Sequence, residues 1–273
     1  MPTPILTYLE FLVLLVVPFT GALVARALDR SMPPRRWAGL ASMVVVALAY
    51  MTPWDNSLVA RGVWWYGDGV VLGTVWHAPV GEYTFIVLQT VVAALWLYAV
   101  LDQAGATVPY TFSGVDRRGR LFGTLAGVAV GGVGVALLSR PPTTYLGAIL
   151  AWAGPVLALQ WGFAPGYLLC RWRVVVVGVG VPTGYFWLVD RMALELGLWV
   201  ISPRHTTGLA PFGLPVEEAV FFLVTSLFVV QGLLLLEWVL LDHPDAVREW
   251  LDATLEEAGI DPTALRAAVD RWA

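Results

Sequence analysis

The sequence predicts an all-α integral membrane protein of seven transmembrane helices, and three observations carry that expectation. Of 273 residues 58% are hydrophobic and only 13% charged, too little polar surface to cover a water-soluble globule of this size. Apolar runs recur near 4–25, 37–53, 79–101, 119–138, 143–169, 174–200 and 213–241, each long enough to cross a bilayer. Arginines concentrate in alternate connections between those runs.

The first run has no basic segment before it and no small-residue cleavage pattern after it, so it is expected to be a helix rather than a signal peptide. Connections after runs one, three and five hold Arg26, Arg30, Arg35, Arg36, Arg117, Arg118, Arg120, Arg171 and Arg173. The opposite connections hold only Arg61, Arg140, Arg191 and Arg204. Positive charge stays inside, which predicts a multi-pass protein of the cell membrane with its N-terminus outside and its C-terminus cytoplasmic.

An internal repeat is visible. Tyr8, Leu9 and Pro18 of the first run match Tyr145, Leu146 and Pro155 of the fifth at identical spacing. Asp55 precedes Trp64 by the same nine residues that separate Asp190 from Trp199. Each pair leads to a motif at the next helix start, PVGE at Pro79 to Glu82 and PVEE at Pro215 to Glu218. The expected architecture is two parallel three-helix repeats, 1–103 and 142–241, joined by a linker transmembrane helix within 104–141. Such repeats place a shared site between the halves. Gly131, Gly132 and Gly134 in the linker suit a close helix crossing, since no strand precedes them to make a phosphate loop.

Two outer loops, expected over Pro53 to Ala78 and Asp190 to Phe212, are long for simple turns. Their tryptophans Trp54, Trp64, Trp65, Trp76 and Trp199 fit either an interfacial aromatic belt or the lining of a site for a long apolar substrate. Residues 242–273 turn polar and acidic, and Val247, Leu251 and Leu255 recur at helical spacing. A short helical cytoplasmic tail is expected there, and its acidity argues against nucleic acid as a partner.

Chemistry is expected at the acids. Pro215 marks a helix start with Glu217 and Glu218 in its first turn, followed by uncharged residues from Ala219 to Leu236. Ionisable groups at the edge of a hydrocarbon span are functional candidates by default. Glu218, Phe221, Phe222 and Thr225 share one helix face, as do Glu82, Phe85, Ile86 and Gln89. An acid held neutral in an apolar pocket can protonate a carbon–carbon double bond, and aromatic faces stabilise the resulting cation. The simpler alternative is that these acids cap the helix or pair with Arg61 or Arg204. Glu10, apolar on both sides, is a secondary candidate.

Other chemistries are excluded or unsupported. The chain has no lysine, which removes a retinal or pyridoxal Schiff base. Cys170 is the single cysteine, and His77, His205 and His243 lack zinc-ligand spacing, so no metal is expected. No dinucleotide fingerprint follows a strand, and no cofactor is expected.

The segment Trp54 to Thr90, WDNSLVARGVWWYGDGVVLGTVWHAPVGEYTFIVLQT, and GLPVEEAVFFLVTSLFVVQGL at Gly213 to Leu233 resemble the two halves of the membrane lycopene β-cyclases of actinobacteria, archaea and fungi. The resemblance implies lycopene and related carotenoids as substrates, within a lipid bilayer. Acid-catalysed closure of the open ends would give β-rings, by way of γ-carotene to β-carotene, the precursor of retinal. It implies catalytic roles for Glu217, Glu218 and Glu82, with Asp55 and Asp190 holding or tuning them. Trp64, Trp65, Phe85, Trp199, Phe221 and Phe222 become substrate-binding candidates. Gly81 departs from the family's usual PxEE, which points to the second repeat for the proton donor, with Glu82 assisting. A non-catalytic carotenoid-binding membrane protein, a proton-coupled transporter and a carotenoid hydratase are the alternatives.

Overall fold

The computed structural model describes residues 6–104 and 117–242. Among them are seven helical spans long and apolar enough to cross a membrane. The first comprises α1 (Tyr8–Phe11), a π-helical turn (Leu12–Val16) and α2 (Val17–Asp29). The others are α3 (Pro34–Ala60), α4 (Val80–Ala104), α5 (Arg117–Leu137), α6 (Thr144–Phe163), α8 (Trp172–Glu195) and α9 (Val216–Asp242), with the short α7 (Pro165–Cys170) between α6 and α8. The acidic tail expected after residue 242 lies outside the described residues.

Helices α4 and α9 form the centre. Both are apolar around their whole circumference, the pattern of a helix buried on all sides. α4 packs on α2, α3, α8 and α9, and α9 on α3, α4, α6 and α8. Gln89 Nε2 donates to Thr225 Oγ1 across 2.5 Å and ties the two centres together. At the end remote from Glu82 and Glu218, Arg36 bridges Asp102 at 2.7 Å and Glu237 at 2.9 Å, and Arg26 reaches Asp102 at 3.3 Å.

The glycine-rich α5 lies against α6. A methyl group at Gly127 or Gly134 would run into the backbone at Ala158 or Ala151, and Gly131 faces Gly154 Cα at 3.3 Å from an added Cβ. Small residues at these positions allow the two backbones to touch, which in a membrane supplies the packing that apolar side chains alone do not. The opposite face of α5 is exposed, with Phe122 and Val135 outward.

Two expected boundaries are corrected. The outer loops do not begin at Pro53 and Asp190, because α3 continues to Ala60 and α8 to Glu195. Proline inside a membrane helix is tolerated where neighbours satisfy the freed backbone group. Asp55 and Asp190 consequently lie inside helices, near their ends. The fifth run is split at Ala164, whose φ of −145° and ψ of 67° leave the helical region, as the residue before Pro165 is pushed to do.

The same device ends α3 and α8. Gly62 and Gly197 adopt φ of 66° and 69°, a conformation that costs glycine nothing. Val63 N donates to Leu58 O and Gly62 N to Val59 O, at 3.0 and 2.9 Å. Leu198 N donates to Ala193 O and Gly197 N to Leu194 O, at 3.0 and 3.1 Å. Both are Schellman closures. Each turns the chain directly into a strand, β1 (Trp64–Tyr66) or β4 (Trp199–Ile201). These strands pair antiparallel, with Trp64 opposite Ile201, Trp65 opposite Val200 and Tyr66 opposite Trp199. A second small ladder joins β2 (Thr74–Val75) to β3 (Ala78–Pro79) just before α4.

Candidate active site

Beneath the β1–β4 ladder lies a small cavity of about 40 Å³ whose walls include Asp55, Glu82, Asp190 and Glu218. Tyr8, Trp54, Trp64, Phe85, Tyr145, Trp199, Ile201, Phe221 and Phe222 complete its lining. Each acid arrives from a helix terminus: Asp55 and Asp190 near the ends of α3 and α8, Glu82 and Glu218 in the first turns of α4 and α9. The first-turn glutamates sit where free backbone N–H groups and the helix dipole favour an acid. Asp55, Asp190 and Glu218 are buried and Glu82 is half-buried, and no arginine or histidine is among the residues that line the cavity.

Hydrogen bonds fix the two glutamates. Tyr145 Oη donates to Glu218 Oε1 at 2.8 Å, and Tyr66 Oη donates to Glu82 Oε1 at 2.7 Å. Trp64 Nε1 donates in turn to Tyr66 Oη at 3.1 Å. Burial, with Glu82 alongside, pushes the Tyr66 phenol well above its ordinary range, so it remains a hydrogen-bond donor. Trp199 Nε1 donates to Asp190 Oδ1 at 3.1 Å, while Oδ2 of both Asp55 and Asp190 is buried without a partner. An acid oxygen with no protein partner in a cavity is free for a reacting group or an exchanging proton.

The tyrosines are positioned by backbone as well as by rings. Tyr8 N donates to Val70 O at 2.9 Å and Tyr145 N to His205 O at 3.0 Å, so each helix start is tied to one of the two long loops. Tyr8 packs on Trp199 at 5.0 Å between ring centres, and Tyr145 on Trp64 at 5.3 Å. Each contact joins a residue of one half of the chain to one of the other.

Glu217 and Trp65, both site candidates from the sequence, do not line the cavity. Glu217 is fully buried, and its Oε1 accepts the Thr207 backbone N–H at 2.7 Å, which ties the loop before α9 to that helix. Gly81, at the matching place before Glu82, leaves room for the Tyr8 ring, whose Cγ would stand 2.8 Å from an added Cβ. The departure from PxEE at Gly81 therefore takes no acid out of the cavity. Trp65 is 45% and Trp76 70% exposed, the placement of an interfacial belt. Glu10 accepts from Thr7 N at 2.8 Å while its own N–H bonds the Thr7 hydroxyl, a capping box at the start of α1.

Sequence reasoning did not place Tyr8, Tyr66, Tyr145 or Ile201 in the site, and it left Trp54 between the site lining and the interfacial belt. The duplicated spacing of Tyr8 and Tyr145 was a usable signal, since a tyrosine matched in both halves beside matched acids is a natural partner for them. Tyr66 and Ile201 had none, because they enter through strand pairing between distant segments.

This fold and site define a class: a multi-pass helical membrane protein with four acids and a cluster of aromatic rings around a small cavity. A family model described as lycopene cyclase matches residues 5–101 and 142–236. The chain belongs to the lycopene cyclase family. It is 46% identical over 235 residues to the lycopene beta-cyclase of Halobacterium salinarum, covering 86% of this chain and 97% of that protein. It is 37% identical over 205 residues to a bifunctional lycopene cyclase/phytoene synthase of Phaeosphaeria nodorum, and 30% over 227 residues to that of Aspergillus oryzae. Those two alignments cover 70% and 78% of this chain but only 34% and 38% of the fungal proteins. No solved structure matches the chain.

Proposed function

We propose that the chain catalyses the β-cyclisation of lycopene, an isomerisation in which one proton enters and one leaves. The observation that carries this reading is the small cavity where four carboxyl groups meet aromatic rings with no cation among the lining residues. Like charges in so small an apolar space cannot all ionise without a counter-ion, so the cluster is a proton store.

Glu218 is assigned as the acid. Its proton adds to the terminal double bond of the open end, the neighbouring double bond attacks the cation, and the new carbon–carbon bond closes the ring. Glu82 is assigned as the base that removes the proton beside the ring cation, leaving the ring double bond. The assignment follows the donors: Glu82 is backed by the Trp64–Tyr66 chain of hydrogen bonds, which favours its anion, whereas Glu218 has Tyr145 alone among the donors described above. Asp55 and Asp190, with free oxygens on the same cavity, return the proton from Glu82 to Glu218 between turnovers. Phe85, Phe221, Phe222 and Trp54 turn ring faces or edges toward the space the cation would occupy.

The finer architecture belongs to the same proposal. Two parallel repeats over 1–103 and 142–241, with a linker helix between them, are supported by the ladder register. Counting from Trp64 and Trp199 as equivalents, Trp65 and Val200 form its centre and the flanking pairs exchange places. The acids then lie toward the outer side, and the Arg26, Arg36, Asp102 and Glu237 network toward the cytoplasm.

Expression in cells that accumulate lycopene, followed by pigment analysis, tests the activity. β-Carotene, preceded by a one-ring product, is expected. Unchanged lycopene in cells containing the folded protein would overturn it.

A further inference from the structure

A second, larger cavity of about 430 Å³ lies on the other side of an aromatic partition from the acids, between α3, α4, α6 and α9. Its volume falls within the roughly 300–1,000 Å³ of ligand pockets. Its mouth faces the bilayer between α3 and α6, where Val46 is 57% and Leu159 71% exposed. On α3 it runs from Met43 to Met51, about 12 Å at helical rise. We infer that this slot, which rests on the cyclase reading above, is the binding site for the conjugated isoprenoid chain of the substrate, reached laterally from the membrane.

Three features favour a flat polyene as the occupant. The walls carry aromatic faces, with Tyr50 and Phe228 each 5.2 Å from the Trp152 ring. Most polar side chains on the lining spend donors on the protein, Gln89 on Thr225, Thr90 on Ile86 O at 2.8 Å and Gln160 on Phe228 O at 2.9 Å, while Trp152 Nε1 and Gln160 Oε1 are buried without a partner. The slot is also separated from the acid site by a single layer of rings. Trp54, on the acid cavity, stacks on Trp152 at 4.8 Å and on Phe221 at 5.8 Å. An end group passing this layer would trail its chain in the slot.

The position that opens the slot is filled on the other side of the molecule. By the two-fold correspondence proposed above, Tyr50 matches Tyr185 and Val156 matches Phe19. Tyr50 Oη donates to Trp152 O at 2.7 Å, as Tyr185 Oη does to Leu15 O at 2.5 Å. Beside Tyr185, however, Phe19 packs its ring at 4.6 Å. Val156 leaves that space open beside Tyr50. Val156→Phe is thus a plug of a shape the protein already accommodates on its other side.

The test uses wild type, Val156→Phe and, on the facing helix, Ala47→Phe, each also in a Glu218→Gln background. Proteins purified from lycopene-accumulating cells are checked for thermal unfolding and assayed for retained carotenoid and ring product. The single Glu218→Gln variant should retain uncyclised lycopene. Either plug, folded, should cut retention and β-ring formation at least tenfold. Plugged proteins that fold, retain lycopene and cyclise it as wild type does would overturn the slot while leaving the activity standing, and the cavity would then hold a lipid chain. A wild type that retains lycopene but forms no ring would overturn the cyclase reading alone, and loss of retention in the plugs would still uphold the slot.

Discussion

Tyr145 and Glu218 start two different helices, α6 and α9, yet meet across 2.8 Å inside the protein. Tyr66 meets Glu82 in the same way at 2.7 Å, but from a strand. Two glutamates one turn into long apolar helices are thereby held by phenols, and the neighbouring Glu217 is held by a backbone amide instead.

Substitution should separate the adjacent acids. General acid catalysis contributes about 10²- to 10⁴-fold, so Glu218→Gln is expected to lower β-ring formation at least a hundredfold with little change in stability. Glu217→Gln keeps an oxygen for Thr207 and is expected to retain most activity. Glu217→Ala strands that N–H and should cost about 1–3 kcal/mol, read as a lower unfolding temperature in detergent. Equal loss of activity in the two glutamine variants would overturn the division of roles.

The phenols act through the carboxyl groups they hold. Hydrogen bonds to charged groups are worth about 1.5–3 kcal/mol, so Tyr66→Phe should slow ring closure by one to two orders of magnitude. Tyr145→Phe should have a smaller effect if Glu218 donates its proton. Pigment time courses in the two variants, at matched protein levels, measure the difference.

Gly81 gives a steric prediction. An added methyl group meets the Tyr8 ring, so Gly81→Ala should displace that ring from the cavity wall and reduce turnover. Tyr8→Leu in the same chain should recover stability but not activity. Recovery of full turnover would mean that Tyr8 fills space and does nothing more.

Gly62 and Gly197 should respond alike to alanine. A side chain in the left-handed region costs roughly 1–2 kcal/mol, and neither position has a neighbour near an added Cβ. Each single variant should lower the unfolding temperature by a similar amount, and the double variant by about the sum.

Much of the fold was legible because the bilayer imposes simple rules. Run length and the close crossing at Gly131 and Gly134 are both responses to a solvent without hydrogen bonds. The helix extensions through Pro53 and Asp190 were not legible, since proline and aspartate read as loop signals in water and only a surrounding bundle overrides them. At the site, helical spacing was enough to group Glu82 with Phe85 and Glu218 with Phe221. It was not enough to separate Glu217 from Glu218, because which of two adjacent acids faces inward depends on the loop that returns Thr207 to the helix start. Tyr66 was beyond reach for a related reason: its position follows from a register between strands more than a hundred residues apart.

That register has an organisational consequence. The ladder over the cavity takes one strand from each half of the chain, and the rings flanking it, Tyr8 on Trp199 and Tyr145 on Trp64, also cross between halves. Neither half owns a roof. Severed into two polypeptides, the protein would carry two glutamate-bearing fragments, each with an unpaired strand edge and an uncovered acid, and reassembly would both seal the chamber and select the correct mate.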